Sequence, residues 1–87
     1  MISKSVKIKN ATGLHLRPAG NLCKVAINFE CKITFSVRNT TANAKSVLSV
    51  LGACVKSGDE ITLYCDGKDE EKALVTLVDL IEEGIGN

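Results

Sequence analysis

The stretch Cys31-Lys32-Ile33-Thr34-Phe35-Ser36-Val37-Arg38 decides the fold. Cys31, Ile33, Phe35 and Val37 alternate with Lys32, Thr34, Ser36 and Arg38. A period of two places the apolar set on one face of a strand and the polar set on the other. One face is therefore buried and the other wet, so this is part of a sheet covered on one side only. Arg38-Asn39 predicts a turn into a weaker strand around Thr40 to Ala44.

Two further strands frame this one. From Ile2 to Lys9, Ile2, Val6 and Ile8 share one parity and Ser3, Ser5, Lys7 and Lys9 the other. Gly58-Asp59 precedes Ile61, Leu63 and Cys65, again alternating, and Asp66-Gly67 ends that run. Between the strands the period changes. Ala19, Leu22, Cys23, Ala26 and Ile27 make one apolar stripe of a helix from about Leu16 to Ile27. Pro18 suits its first turn, where a missing N–H costs no intrahelical bond. Ser46 can cap a short helix carrying Val47, Leu48 and Leu51. Asp69 can cap a last helix with the stripe Ala73, Leu74, Leu77, Val78 and Ile81. Glu70 and Glu71 suit its positive end, and Gly84 its stop.

The order is β-α-β-β-α-β-α. The pattern predicts an α+β sandwich: one four-stranded sheet with helices covering one face. It does not separate the strand order 1-4-2-3 from the ferredoxin-like order. The 87 residues, 1–87, are read as a single domain, with a 45% hydrophobic fraction supplying one core. So small a domain leaves little room for an enclosed pocket, so any active group should sit at the surface and work with a partner.

Composition excludes several functions. Eleven basic and ten acidic residues give a net charge of +1, which does not suit a polyanion binder. Phe29, Phe35 and Tyr64 are the only aromatics, too few for a base-stacking platform. Cys23, Cys31, Cys54 and Cys65 form no CxxC pair and match no zinc spacing, so they read as four reduced core thiols, and no metal is expected. Met1-Ile2-Ser3-Lys4 does not open a signal peptide, and no apolar run is long enough for a membrane span. The expectation is a soluble, cytoplasmic protein that needs no cofactor.

Chemistry concentrates at Gly13-Leu14-His15-Leu16-Arg17-Pro18-Ala19-Gly20, where the first loop meets the first helix. His15 is the only histidine. A helix start offers free backbone N–H groups and a dipole that favours negative charge. Pro18 has no N–H, so the useful donors are the backbone N–H groups of Leu16 and Arg17. The Arg17 guanidinium adds a permanent charge with a fork that fits phosphate. An imidazole keeps a nucleophilic lone pair near pH 7, and a phosphorylated ring is a good leaving group. Phosphoryl transfer asks chiefly for positioning and charge stabilisation. The plain alternative is that His15 caps the helix and Arg17 is a solvated charge.

The run Gly13-Leu14-His15-Leu16-Arg17-Pro18-Ala19 resembles the active-site signature of HPr, the histidine-containing phosphocarriers of the bacterial sugar phosphotransferase system. Lys45-Ser46-Val47-Leu48 and Gly58-Asp59-Glu60-Ile61 extend the likeness over essentially the whole chain. The resemblance implies an α+β open-faced β-sandwich, its four-stranded antiparallel sheet covered on one face by three helices, with strand order 1-4-2-3. It implies that His15 is phosphorylated through Nδ1, that Arg17 helps hold or release the phosphoryl group, and that Pro18 fixes the helix start. Phosphorylated enzyme I would be the donor and IIA components of sugar permeases the acceptors. The chain would be a carrier acted on by other phosphotransferases rather than an enzyme, and a monomer. In Gram-positive relatives the serine matching Ser46 is phosphorylated by HPr kinase/phosphorylase, which brings in a catabolite-control transcription factor.

Leu16, Gly20, Val47, Leu48 and Leu51, rimmed by Lys24 and Lys45, could form a docking patch beside His15; the plain reading puts Val47 and Leu51 in the core. Two residues depart from the family pattern. Leu16 stands where a small or hydroxylated residue is usual, and Cys54 where glycine is usual. Two other functions stay open. One is a purely regulatory HPr-like module acting through Ser46, although such relatives lack the histidine. The other is an unrelated α+β ligand-binding domain.

Overall fold

In the computed structural model, which describes residues 1–85, the deciding stretch forms β2, Lys32–Val37, with Ile33, Phe35 and Val37 buried. It turns at Arg38-Asn39 into β3, Thr40–Asn43, pairing Val37 with Thr40 and Phe35 with Ala42. The other elements are β1 (Ile2–Lys7), α1 (Leu16–Ala26), α2 (Val47–Gly52), β4 (Glu60–Asp66) and α3 (Glu70–Glu82). The sheet order is β1-β4-β2-β3, antiparallel throughout, and the three helices complete the order β-α-β-β-α-β-α. β4 lies inside the sheet and buries Ile61, Leu63 and Cys65 completely. Alternation reports which face of a strand is buried, but not which strand lies beside it.

β1 is an edge strand and ends at Lys7, two residues before its expected end. Ile8 stays buried by pairing with a turn: its N–H donates to the Asp59 carbonyl at 2.8 Å, and Gly58 N–H donates to its carbonyl at 2.9 Å. That turn brings residues 53–59 against the loop that follows β1.

The helices lie where the pattern predicts, with three corrections. Ile27 is not part of the α1 stripe. It is the C-cap and 61% exposed, because i→i+3 bonds from Asn28 and Phe29 tighten the chain there. In α2 the core anchor is Val50, fully buried, while Val47 and Leu51 are half-buried and Leu48 is 83% exposed. Asp69 sits at the start of α3 but does not cap it. Its carboxylate accepts the N–H groups of Glu30 and Cys31, each at 2.9 Å, and so binds α3 to the α1–β2 connection. Those N–H groups, Glu30 foremost, hold its carboxyl below the usual range. Ser46 does cap α2, its Oγ accepting Ser49 N–H at 3.2 Å, and Gly84 follows α3 at φ +84°.

The thiols need a fourth correction. Cys23, Cys31 and Cys65 are core residues, but Cys54 is exposed. Ala53 and Val55 point inward, and Cys54 between them adopts φ +54°, which turns its side chain outward. Burial raises the Cys31 thiol to about 12, with the Asp69 carboxylate adding to the shift. Burial raises Cys23 and Cys65 as well.

Candidate functional site

The loop from Asn10 to His15 is held on both sides. Gly13 N–H donates to the Asn10 carbonyl at 3.1 Å and closes a turn. Gly13 itself has φ +70°, and a Cβ built on it would lie 2.3 Å from the Val55 carbonyl oxygen and 2.8 Å from Lys56 Cα. Only a residue without a side chain lets the two backbones approach so closely. Leu14, buried, then donates its N–H to the same Val55 carbonyl at 3.1 Å. Leu14 inside and His15 outside fix the direction in which the helix begins.

His15 is the N-cap of α1, with extended backbone (φ −81°, ψ −168°), and its carbonyl accepts Ala19 N–H at 2.9 Å. Its ring makes no capping hydrogen bond and is exposed. The imidazole therefore does not cap the helix. Leu16 and Arg17 are the first two helical residues, so their N–H groups lack intrahelical acceptors. Pro18 follows, buried, with no N–H to satisfy. α1 has no acidic side chain in its first turn, so the positive end of its dipole is not neutralised locally. His15, Leu16 and Arg17 are thus brought together at one exposed helix start.

The expected docking patch is only partly assembled. α1 packs against α2, and Leu16 (68% exposed) and Leu48 are exposed apolar residues on these two helices. Gly20, Val47 and Leu51 are half-buried, with Val47 and Leu51 packed on the core. The basic rim lies elsewhere. Lys24 is in the last turn of α1, about 13 Å along the axis from His15 at 1.5 Å per residue. Lys45 donates its ammonium to the Phe29 carbonyl at 2.6 Å, beyond the far end of α1. Ser46 is half-buried and its hydroxyl is engaged in the α2 cap.

Two supports of the site were not evident in the sequence. Arg38, at φ +53°, donates to the Asp59 carboxylate and to the carbonyls of Ala53 (3.2 Å) and Cys54 (2.9 Å), so it closes over the segment against which Gly13 and Leu14 pack. Asp59 also accepts Lys56 N–H; that bond first, and Arg38 second, hold its carboxyl below the usual range. The other is Asn10, fully buried, whose Nδ2 donates to the Ile85 carbonyl at 2.6 Å. In the sequence Arg38 reads as a polar strand residue at a turn, Gly58-Asp59 as a turn within the family likeness, and Asn10 only as loop.

No group of three or more His, Cys, Asp or Glu side chains among the described residues could hold a metal ion, and no helix among them is long and apolar enough to cross a membrane. A groove of about 200 Å³ lies between Lys4 and the α3 residues Leu74, Val75, Val78, Asp79 and Glu82, away from His15.

Fold and site together define a small open-faced α+β domain with an exposed histidine at a helix start. Comparison with known proteins narrows this class. Residues 2–83 match the family described as "PTS HPr component phosphorylation site". The chain is 35% identical to the phosphocarrier protein HPr of Lysinibacillus sphaericus, covering 95% of this chain and 94% of that one. It is also 35% identical to the HPr-like protein Crh of Halalkalibacterium halodurans, covering 95% and 99%. The crystal structure of HPr-C-His from Thermoanaerobacter tengcongensis superposes with a TM-score of 0.95 at 39% identity, covering 100% of this chain and 98% of that one. The chain belongs to the HPr family of phosphocarrier proteins of the phosphotransferase system.

Proposed function

We propose that this chain carries a phosphoryl group on His15, taking it from phosphorylated enzyme I and passing it to IIA components of sugar permeases. The observation that carries this reading is the His15 ring: exposed, free of any capping bond, and next to the two unused N–H groups of Leu16 and Arg17. The imidazole nitrogen attacks phosphorus in line with the donor bond. A P–N bond forms on His15 as the bond to the donor breaks, and its electron pair leaves with the donor. The free N–H groups and the Arg17 guanidinium bear on the oxygens, where charge accumulates. In the second half-reaction the acceptor attacks the same phosphorus and the ring leaves. No cofactor takes part.

On this reading residues 1–87 act as one carrier domain, a monomer in the cytoplasm and a substrate of larger phosphotransferases. Arg17 holds and releases the phosphoryl group. Leu16 and Leu48 supply the exposed apolar contact, and Gly20, Val47 and Leu51 back it; Lys24 is too distant to share in the chemistry. Ser46 is the regulatory site, modified by HPr kinase/phosphorylase and then read by a catabolite-control transcription factor. Its hydroxyl first has to leave the Ser49 N–H, and a phosphate there would still face the start of α2.

Incubation with enzyme I and phosphoenolpyruvate tests the main reading. An acid-labile adduct should form on the wild-type chain and be lost in His15→Ala. The identity to a Crh protein favours one second reading, a purely regulatory module. That reading predicts phosphorylation at Ser46 by the kinase and none at His15.

A further inference from the structure

Asn10 is the one polar side chain among the buried residues described, and the proposed transfer chemistry does not use it. Its amide is only half-matched. Nδ2 donates to the Ile85 carbonyl, 75 positions away, while Oδ1 has no hydrogen-bond partner among the described residues. A buried acceptor left unpaired is unfavourable, and an apolar residue would avoid it. What the amide supplies in return is one short bond between the β1–α1 loop and the turn after α3. The Asn10 backbone matters equally, since its carbonyl accepts Gly13 N–H and starts the turn that ends in His15. Asn10 thus joins three things: the C-terminal turn fixed by Gly84 at φ +84°, the buried Ile85, and the loop that sets the direction of Leu14 and His15.

We propose that Asn10 is a positioning residue for phosphoryl transfer: by tying the His15 loop to the Ile85 carbonyl it holds the imidazole in line with the N–H groups of Leu16 and Arg17. The inference rests on the phosphocarrier reading. Losing the bond leaves the loop anchored on the Val55 side alone, so His15 and the start of α1 shift together or drift apart. A displacement of about 1 Å at such a site can lower a rate about a hundredfold.

The test compares wild type, Asn10→Ala, Asn10→Asp and Ile33→Ala in steady-state transfer from phosphorylated enzyme I, at a temperature where each is folded. Ile33 pairs with Cys65 near the end of β4, whereas the loop abuts residues just before β4 begins, so Ile33→Ala loosens the core without touching the loop. The expected result is a fall in kcat of about tenfold or more for Asn10→Ala with KM unchanged, and no such split for Ile33→Ala. Asn10→Asp should be at least as impaired at a pH where its buried carboxyl is ionised, because a carboxylate cannot donate to the Ile85 carbonyl. Amide NMR gives a readout that needs no partner: the Leu16 and Arg17 cross-peaks should move in both Asn10 variants and stay in Ile33→Ala. Equal kcat in Asn10→Ala and wild type, or an equal loss in Ile33→Ala, overturns the inference and leaves the carrier reading standing. A wild-type chain that takes no phosphoryl group overturns both, even where the NMR shifts appear.

Discussion

Replacing Gly13 by alanine should remove the site and much of the stability, by an amount that can be worked out. Gly13 has φ +70°, where a side chain costs about 1–2 kcal/mol. The new Cβ would lie 2.3 Å from the Val55 carbonyl oxygen, so one backbone has to yield. Moving Val55 breaks the bond from Leu14 N–H, and a buried backbone group left unpaired costs about 1–3 kcal/mol more. The expected loss is about 2–5 kcal/mol. Gly58→Ala is the matched control. Gly58 has φ +88°, yet a Cβ there meets nothing within 4 Å, so only the backbone cost of about 1–2 kcal/mol applies. The entropy that alanine removes from the unfolded chain is common to both and cancels. Urea unfolding of the two variants should therefore differ by about 1–3 kcal/mol, which is at least 4 °C in Tm for a domain of about this size. Transfer to the Gly13→Ala chain should fall steeply while Gly58→Ala stays active. Equal destabilisation of the two, within about 0.5 kcal/mol, would refute the close approach of loop and Val55 as the reason for Gly13.

Three further outcomes follow from the same contacts. Cys54→Gly removes a side chain from φ +54° at the cost of a looser unfolded chain, and the balance should raise stability by about 0.5–1 kcal/mol in urea unfolding. A thiol reagent should label Cys54 quickly in the folded protein and reach Cys23, Cys31 and Cys65 only on unfolding, as mass spectrometry of the modified peptides will show. Asp59 and Asp69 have folded values below the ordinary 3.8, so the unfolded chain holds their protons more tightly. Their contribution is full above that value and is lost as pH falls through the folded values; Asp59→Asn should flatten the acid side of the urea midpoint–pH curve.

Much of this architecture was legible because each element is half-buried. Ile33-Phe35-Val37 and the stripe Ala73, Leu74, Leu77, Val78 and Ile81 name their buried faces in the sequence and occupy them in the fold. His15, Leu16 and Arg17 were legible as a group because a loop, a proline and an apolar stripe mark a helix start. The rest depends on contacts between distant segments. Strand order is set by which edge β4 meets, and no local period encodes that. Asp69 reads as a cap from its neighbours, but Glu30 and Cys31 bring it N–H groups from 39 and 38 positions away. Cys54 lies in an apolar run and turns outward only because its backbone is left-handed. Lys45 looked like part of a basic rim until the Phe29 carbonyl claimed its ammonium.

Phosphorus NMR of the chain after reaction with enzyme I and phosphoenolpyruvate tests the central claim most directly. The account predicts one phosphoramidate resonance, assigned to His15 Nδ1, lost on mild acidification and missing from His15→Ala. A phosphate-ester resonance at Ser46 in its place, or no adduct while a known carrier is phosphorylated in the same mixture, would contradict it.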